Sequence, residues 1–207
     1  MARAPAIEFW YEFASTYSWL AASRITDAAA EAGVAIRWRP FLLGPIFSSQ
    51  GWNTSPFNLY PAKGRYMWRD VEREAARLGL ACRKPAPFPQ NSLNAARVAL
   101  FGADEPWGPH FTRAVFAREF EEGASIEEPS AIRDILRGLD LDAGEIMKGA
   151  TGDANKTRLR ALTEEARSRH IFGAPTFFTE DGEMFWGADR LDAALAWATG
   201  ERPGILR

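Results

Sequence analysis

Ser15 opens a Ser-x-x-Ser stretch, Ser15-Thr16-Tyr17-Ser18, at the point where the sequence changes its periodicity from two to that of a helix. Ile7, Phe9, Tyr11 and Phe13 alternate with Glu8, Trp10 and Glu12, the pattern of a half-buried strand. Ala21, Ile25, Ala28, Ala29 and Ala32 then recur at helical spacing. A hydroxyl at the first turn of a helix sits among unpaired backbone N–H groups and the positive end of the dipole, which suits an anion. A thiolate is such an anion, and it is the reactive form of a thiol whose unperturbed pKa is about 8.5. Serine is also a preferred helix cap with no chemistry attached. On this segment alone both readings of Ser15 stand.

A second segment, His170-Ile171-Phe172-Gly173-Ala174-Pro175-Thr176, puts a proline at the entry of another strand. Proline there can be a mere edge device. It can also mark a tight backbone turn that faces the Ser15 corner.

Other chemistries are closed off. Cys82 is the one cysteine, so no intrachain disulfide, no cysteine-rich metal site and no dithiol redox pair can form. His110 and His170 fall in no metal-ligand spacing and read as structural. The formal net charge of −2 gives no electrostatic reason for a nucleic-acid or membrane-surface partner. No apolar run approaches the roughly 18 residues of a membrane helix. The opening MARAPAIEFW lacks the apolar core of a signal peptide, so a cytoplasmic location is expected. Aromatic residues make up 13% of the chain, and Trp52, Trp107 and Trp186 stand beside turn-forming residues. Most of these rings read as packing, and a few as walls of a flat pocket for an aromatic ligand.

The elements that must position Ser15 can be read in order. Val34, Ile36 and Trp38 alternate with Ala35, Arg37 and Arg39 and predict a second strand closed by Pro40. Strand–helix–strand predicts parallel pairing with a right-handed crossover. Leu43 to Gln90 is rich in Gly, Pro and Ser, with a helix over about 63–78 that buries Met67, Val71, Ala75 and Leu78. Its Arg65, Arg69, Arg73 and Arg77 read as a solvated face beside Asp70, Glu72 and Glu74. Further helices are predicted over 92–101, 109–119, 130–138, from Asp142, and over 156–169. Thr176–Thr179 and Met184–Trp186 flank Glu180-Asp181-Gly182-Glu183, a hairpin signature. A last helix over 191–199 stops at Gly200 with Pro203 beyond. This is the order of an α/β, thioredoxin-like sheet carrying an all-helical insertion. The expected division is 1–44 with 166–207 as the sheet domain and 45–165 as the insertion. In that layout Ala174–Pro175 is a cis peptide facing the Ser15 corner.

At this point the sequence resembles the 2-hydroxychromene-2-carboxylate isomerases, relatives of the kappa-class glutathione transferases and of DsbA-type oxidoreductases. The likeness is carried by FWYEFASTYSWLA (Phe9 to Ala21), PAKGRYMWRD (Pro61 to Asp70), FPQNSLNAAR (Phe88 to Arg97), FGAPTFF (Phe172 to Phe178) and MFWGADRL (Met184 to Leu191). It runs over nearly the whole chain. The resemblance implies glutathione as cofactor, with Ser15 in the place of the reactive cysteine and bonded to the glutathione sulfur. It implies that Ala174, before Pro175, pairs with the cysteinyl backbone, and that Gly187, Ala188 and Asp189 hold the γ-glutamyl end. Asn53, Lys63 and Asp70 are implied as further contacts; for Lys63 and Asp70 an exposed salt-bridge helix is the plainer alternative. The implied reaction is isomerisation of a small aromatic electrophile, an aromatic pyruvate adduct. The thiolate adds to the conjugated double bond, the bond rotates, and elimination returns the thiol. The pyruvate carboxylate could be met by Lys63, Asn53 or an arginine. A kappa-like transferase or peroxidase, or a non-catalytic glutathione-binding module, are the other readings. Thr16 stands where the family commonly has proline, and Ala188 where a polar side chain is usual. A homodimer is implied by the resemblance and by an aromatic-rich block larger than a small insertion's core requires.

Overall fold

β1 (Ala6–Tyr11) lies inside a four-stranded mixed sheet of order β2–β1–β3–β4, in a computed structural model that describes residues 4–52 and 54–201. β2 (Ala35–Pro40) runs parallel to β1, with Phe9 opposite Trp38. β3 (Thr176–Thr179) runs antiparallel to β1, placing Trp10 opposite Thr176, and β4 (Met184–Trp186) closes the hairpin with Trp186 opposite Thr176. The parallel pair is joined by α1 (Thr16–Ala32), which Gly33 ends at φ 66°, the left-handed conformation glycine adopts without cost.

Between β2 and β3 the chain is helical. α2 (Leu43–Ser49), α3 (Pro56–Leu59) and α4 (Pro61–Arg77) come first. α5 (Leu93–Phe101) and α6 (Gly108–Phe116) follow, and α6 runs into a π-helical turn, Ala117–Glu121. α7 (Pro129–Gly138), α8 (Ala143–Ala150) and α9 (Asp153–Ser168) complete the block. After β4, a 3₁₀ turn (Ala188–Arg190) leads into α10 (Leu191–Ala198). α4 begins at Pro61 rather than near Lys63, because proline is suited to the first helical position. α2 and α3 occupy a stretch whose composition reads as irregular.

The expected one-sided burial of β1 is corrected by the structure. Successive strand residues point to opposite faces, and both faces are covered. On one, Tyr11 bonds Thr112 Oγ1 of α6 at 2.9 Å and Phe9 stacks on Phe177 with centroids 5.5 Å apart. On the other, Trp10 is fully buried against Phe41, with the Arg39 and Arg169 guanidinium groups over its ring. Glu8 is ion-paired to both of those arginines. Glu12, read from the sequence as outward, is only 5% exposed. The helical block reaches both faces, α6 through Thr112 on one and the starts of α2 and α5 through Glu12 on the other, which a period-two pattern cannot report.

Candidate active site

Ser15 is the N-cap of α1, with extended backbone (φ −101°, ψ 114°) and its Oγ accepting from Ser18 N–H at 3.1 Å. Its N–H closes the preceding turn on the Glu12 carbonyl at 3.1 Å. The Ser15 hydroxyl donates to the Ala174 carbonyl at 2.8 Å. Ala174–Pro175 is cis, as expected. The capping role and the approach to the proline loop are therefore both present in one side chain.

The remaining candidates distribute around that contact. Pro175 accepts from the Gly187 N–H at 3.0 Å, which ties the start of the 3₁₀ turn to the proline loop. Gly187 has φ 115° and ψ 150°, a region essentially reserved for glycine. Ala188 packs half-buried against the core beside α1, and Asp189 is exposed, pairing with Arg190 at 3.2 Å. Thr16, the departure from proline, is buried and donates its hydroxyl to Met67 Sδ of α4 at 3.5 Å, so this position joins the two helices.

α4 carries Asp70 to the first turn of α1. The Tyr17 hydroxyl donates to Asp70 Oδ2 at 2.9 Å, and Arg73 holds Oδ1 at 2.7 Å. Burial, with the Asp70 carboxylate adding to it, pushes the Tyr17 phenol well above its ordinary range. The helix face also carries the anticipated Arg69–Glu72 and Arg77–Glu74 pairs. Lys63 is exposed, its ammonium 5.5 Å from the Phe57 ring centre. Seven residues set it about 10 Å along the helix from Asp70, so the structure does not bring these two together. Asn53 lies outside the described residues.

Two buried carboxyls beneath this corner were not picked out from sequence. Glu12 accepts from Leu43 N–H at 2.9 Å, from Ala14 N–H at 3.4 Å and from the Ser92 hydroxyl. Burial pushes its pKa up, and those bonds hold it back. Glu119, on the π-helical turn, is fully buried with no hydrogen-bond partner for either oxygen among the described residues. Burial first, then the nearby Glu12 and Glu127 charges, push its pKa well above 4.5. The sequence signal was the unbroken aromatic surround of Glu12 in Trp10-Tyr11-Glu12-Phe13, which fits a strand covered on both faces. No cluster of three or more potential metal ligands occurs among the described residues.

A serine-capped helix meeting a cis-proline loop across a β2–β1–β3–β4 sheet defines a thioredoxin-fold protein of the DsbA type, and residues 6–196 match the family model of the DSBA-like thioredoxin domain. A 2-hydroxychromene-2-carboxylate isomerase of Sphingobium xenophagum is 30% identical over 188 residues, 90% of this chain and 94% of that one. The solved structure of a 2-hydroxychromene-2-carboxylate isomerase superposes with a TM-score of 0.83 at 27% identity, over 95% of each chain. A kappa 2 glutathione S-transferase of Caenorhabditis elegans is more distant, 25% identical over 198 residues, 89% of this chain and 88% of that one. The chain belongs to the DsbA-like thioredoxin-domain family, in its 2-hydroxychromene-2-carboxylate isomerase branch.

Proposed function

We propose that this chain is a glutathione-dependent isomerase acting on a small aromatic pyruvate adduct of the 2-hydroxychromene-2-carboxylate type. The observation that carries it is the Ser15 hydroxyl, held between the α1 N-terminus and Ala174. When bound, glutathione supplies a thiolate that adds to the conjugated double bond, permits rotation, and is returned on elimination. The residues present fit that role. Ser15 Oγ has one proton to give, and the structure spends it on the Ala174 carbonyl. Giving it to a sulfur instead releases that carbonyl to accept the cysteinyl amide, so one exchange of partners satisfies both groups. The Ser18 N–H stays on Ser15 Oγ, and the positive end of α1 favours the thiolate over the thiol. Gly187, Ala188 and Asp189, fixed to Pro175 through the Gly187 N–H, are read as the γ-glutamyl site, with Lys63, Asp70 and Asn53 as outer contacts.

The kappa-transferase likeness supports a second reading in which glutathione is consumed. Incubation of 2-hydroxychromene-2-carboxylate with substoichiometric glutathione separates the two. Many turnovers with the thiol recovered support the isomerase; loss of thiol in proportion to product supports the transferase; no rate increase over buffer leaves a binding module. The same reading takes the molecule as a cytoplasmic homodimer in which 45–165 is an insertion in a sheet domain of 1–44 and 166–207. Light scattering that returns a monomer mass at micromolar concentration removes the dimer.

A further inference from the structure

Glu12 stands three residues before Ser15 and makes more structural contacts than any capping residue needs. The turn from Glu12 to Ser15 is closed by its backbone, and the Glu12 side chain folds back to accept from Ala14 N–H within the same turn. The carboxylate also reaches two helices outside it. Leu43 N–H is an unpaired donor at the start of α2, whose cap residue Leu42 contributes no side-chain bond. Ser92 caps α5, yet its hydroxyl makes no bond to its own helix and donates to Glu12 instead. Two helix starts and the Ser15 turn thus converge on one buried group. The Leu43 and Ala14 amides can only donate, so both Glu12 oxygens serve as acceptors. Glu119, on the π-helical turn, has no hydrogen-bond partner for either oxygen among the described residues, and burial first, then the Glu12 charge, pushes its pKa up.

We propose that Glu12 is a positioning residue for Ser15: its carboxylate fixes the turn that presents the Ser15 hydroxyl to Ala174, by tying that turn to the starts of α2 and α5. The structural half of this inference stands on the geometry alone, and its catalytic half rests on the role of Ser15 proposed above. Glu12→Gln keeps the shape but sets an amide donor against groups that themselves donate. It is expected to lower kcat about tenfold or more with KM little changed. It should also speed hydrogen exchange at the Ser15 and Ser18 amides about tenfold. Glu12→Asp and Ser92→Ala, milder changes, should fall between wild type and Glu12→Gln in both turnover and exchange, and they carry the test if Glu12→Gln does not fold. Glu119→Gln, which mimics the neutral acid, should match wild type. A Glu12→Gln protein that melts lower but keeps wild-type exchange at Ser15 and Ser18 and wild-type kcat overturns the proposal. If the wild type neither binds glutathione nor isomerises, the functional reading fails, and the exchange measurement still decides for or against Glu12.

Discussion

The Ser15 hydroxyl and the Ala174 carbonyl meet at 2.8 Å across 159 positions of sequence. Everything between them, the helical block included, returns the chain so that β3 can pair with β1 and bring its entry loop over the start of α1. A hydroxyl that accepts from Ser18 N–H and donates to Ala174 joins the two halves of the sheet at the place where chemistry is proposed. Its removal has two separable consequences.

Ser15→Ala takes away a cap and leaves the Ala174 carbonyl without its donor. The cap alone is worth about 1 kcal/mol. If Ser15 also holds the glutathione sulfur, turnover per folded molecule should fall about tenfold, or about 1.4 kcal/mol, with the optimum displaced to higher pH. Ultraviolet absorbance of bound thiolate through a pH titration reads the shift. Wild-type turnover with an unchanged thiolate pKa reduces Ser15 to its cap.

Gly187→Ala should weaken glutathione binding while leaving turnover of the bound enzyme near wild type. A Cβ there would sit 2.5 Å from Asp189 Oδ1, and φ 115° is itself strained for alanine by about 1–3 kcal/mol. Asp189 is exposed and can swing aside, so the backbone strain dominates and displaces the 3₁₀ turn from Pro175. Calorimetric titration checks it; an unaltered Kd counts against the γ-glutamyl assignment.

Glu119 makes stability fall as pH rises. Its folded pKa is raised above 4.5, so above that pH the folded protein keeps a proton the unfolded chain releases. The stability it favours is complete below 4.5 and is lost as pH climbs toward the raised value, at up to about 1.4 kcal/mol per pH unit. Glu119→Gln cannot ionise and should flatten this slope. Urea melts of both proteins across pH 5 to 8, a span of about three units, give the comparison; parallel slopes would mean that Glu119 is charged in the native state.

Glutathione should raise the melting temperature in proportion to the logarithm of its concentration. A ligand present at a hundred times its Kd stabilises the folded state by about 2.7 kcal/mol. A melt unmoved by millimolar glutathione would count against this cofactor.

The hairpin of Thr176–Thr179 and Met184–Trp186 was legible to the residue, because alternation and a Glu-Asp-Gly-Glu turn both report it. Ser15 and Pro175 were legible because each sits where a periodicity changes. Glu12 was not, since alternation names a face without naming what packs on it. The partner of Asp70 escaped for a similar reason: helical spacing groups it with Arg73, whereas Tyr17 reaches it from another helix. Glu119 lies where α6 was expected to continue, and no residue type marks the switch to a π-helical turn. Tertiary cover, not local pattern, decided these positions.

Gly173 has no Cβ because the Trp186 indole occupies that space, its Nε1 2.5 Å from where the atom would be. Trp10 and Trp19 are sealed in the core, while Trp186 is 53% exposed, the one exposed indole among the described residues. It rests on the loop whose carbonyl Ser15 holds, edge-on to Phe172 at 4.8 Å. The protein thus carries its own optical probe beside the proposed site. Emission excited at the red edge, where a water-facing indole dominates, should change when the loop is occupied, and titrating glutathione against that signal requires no label and no substrate.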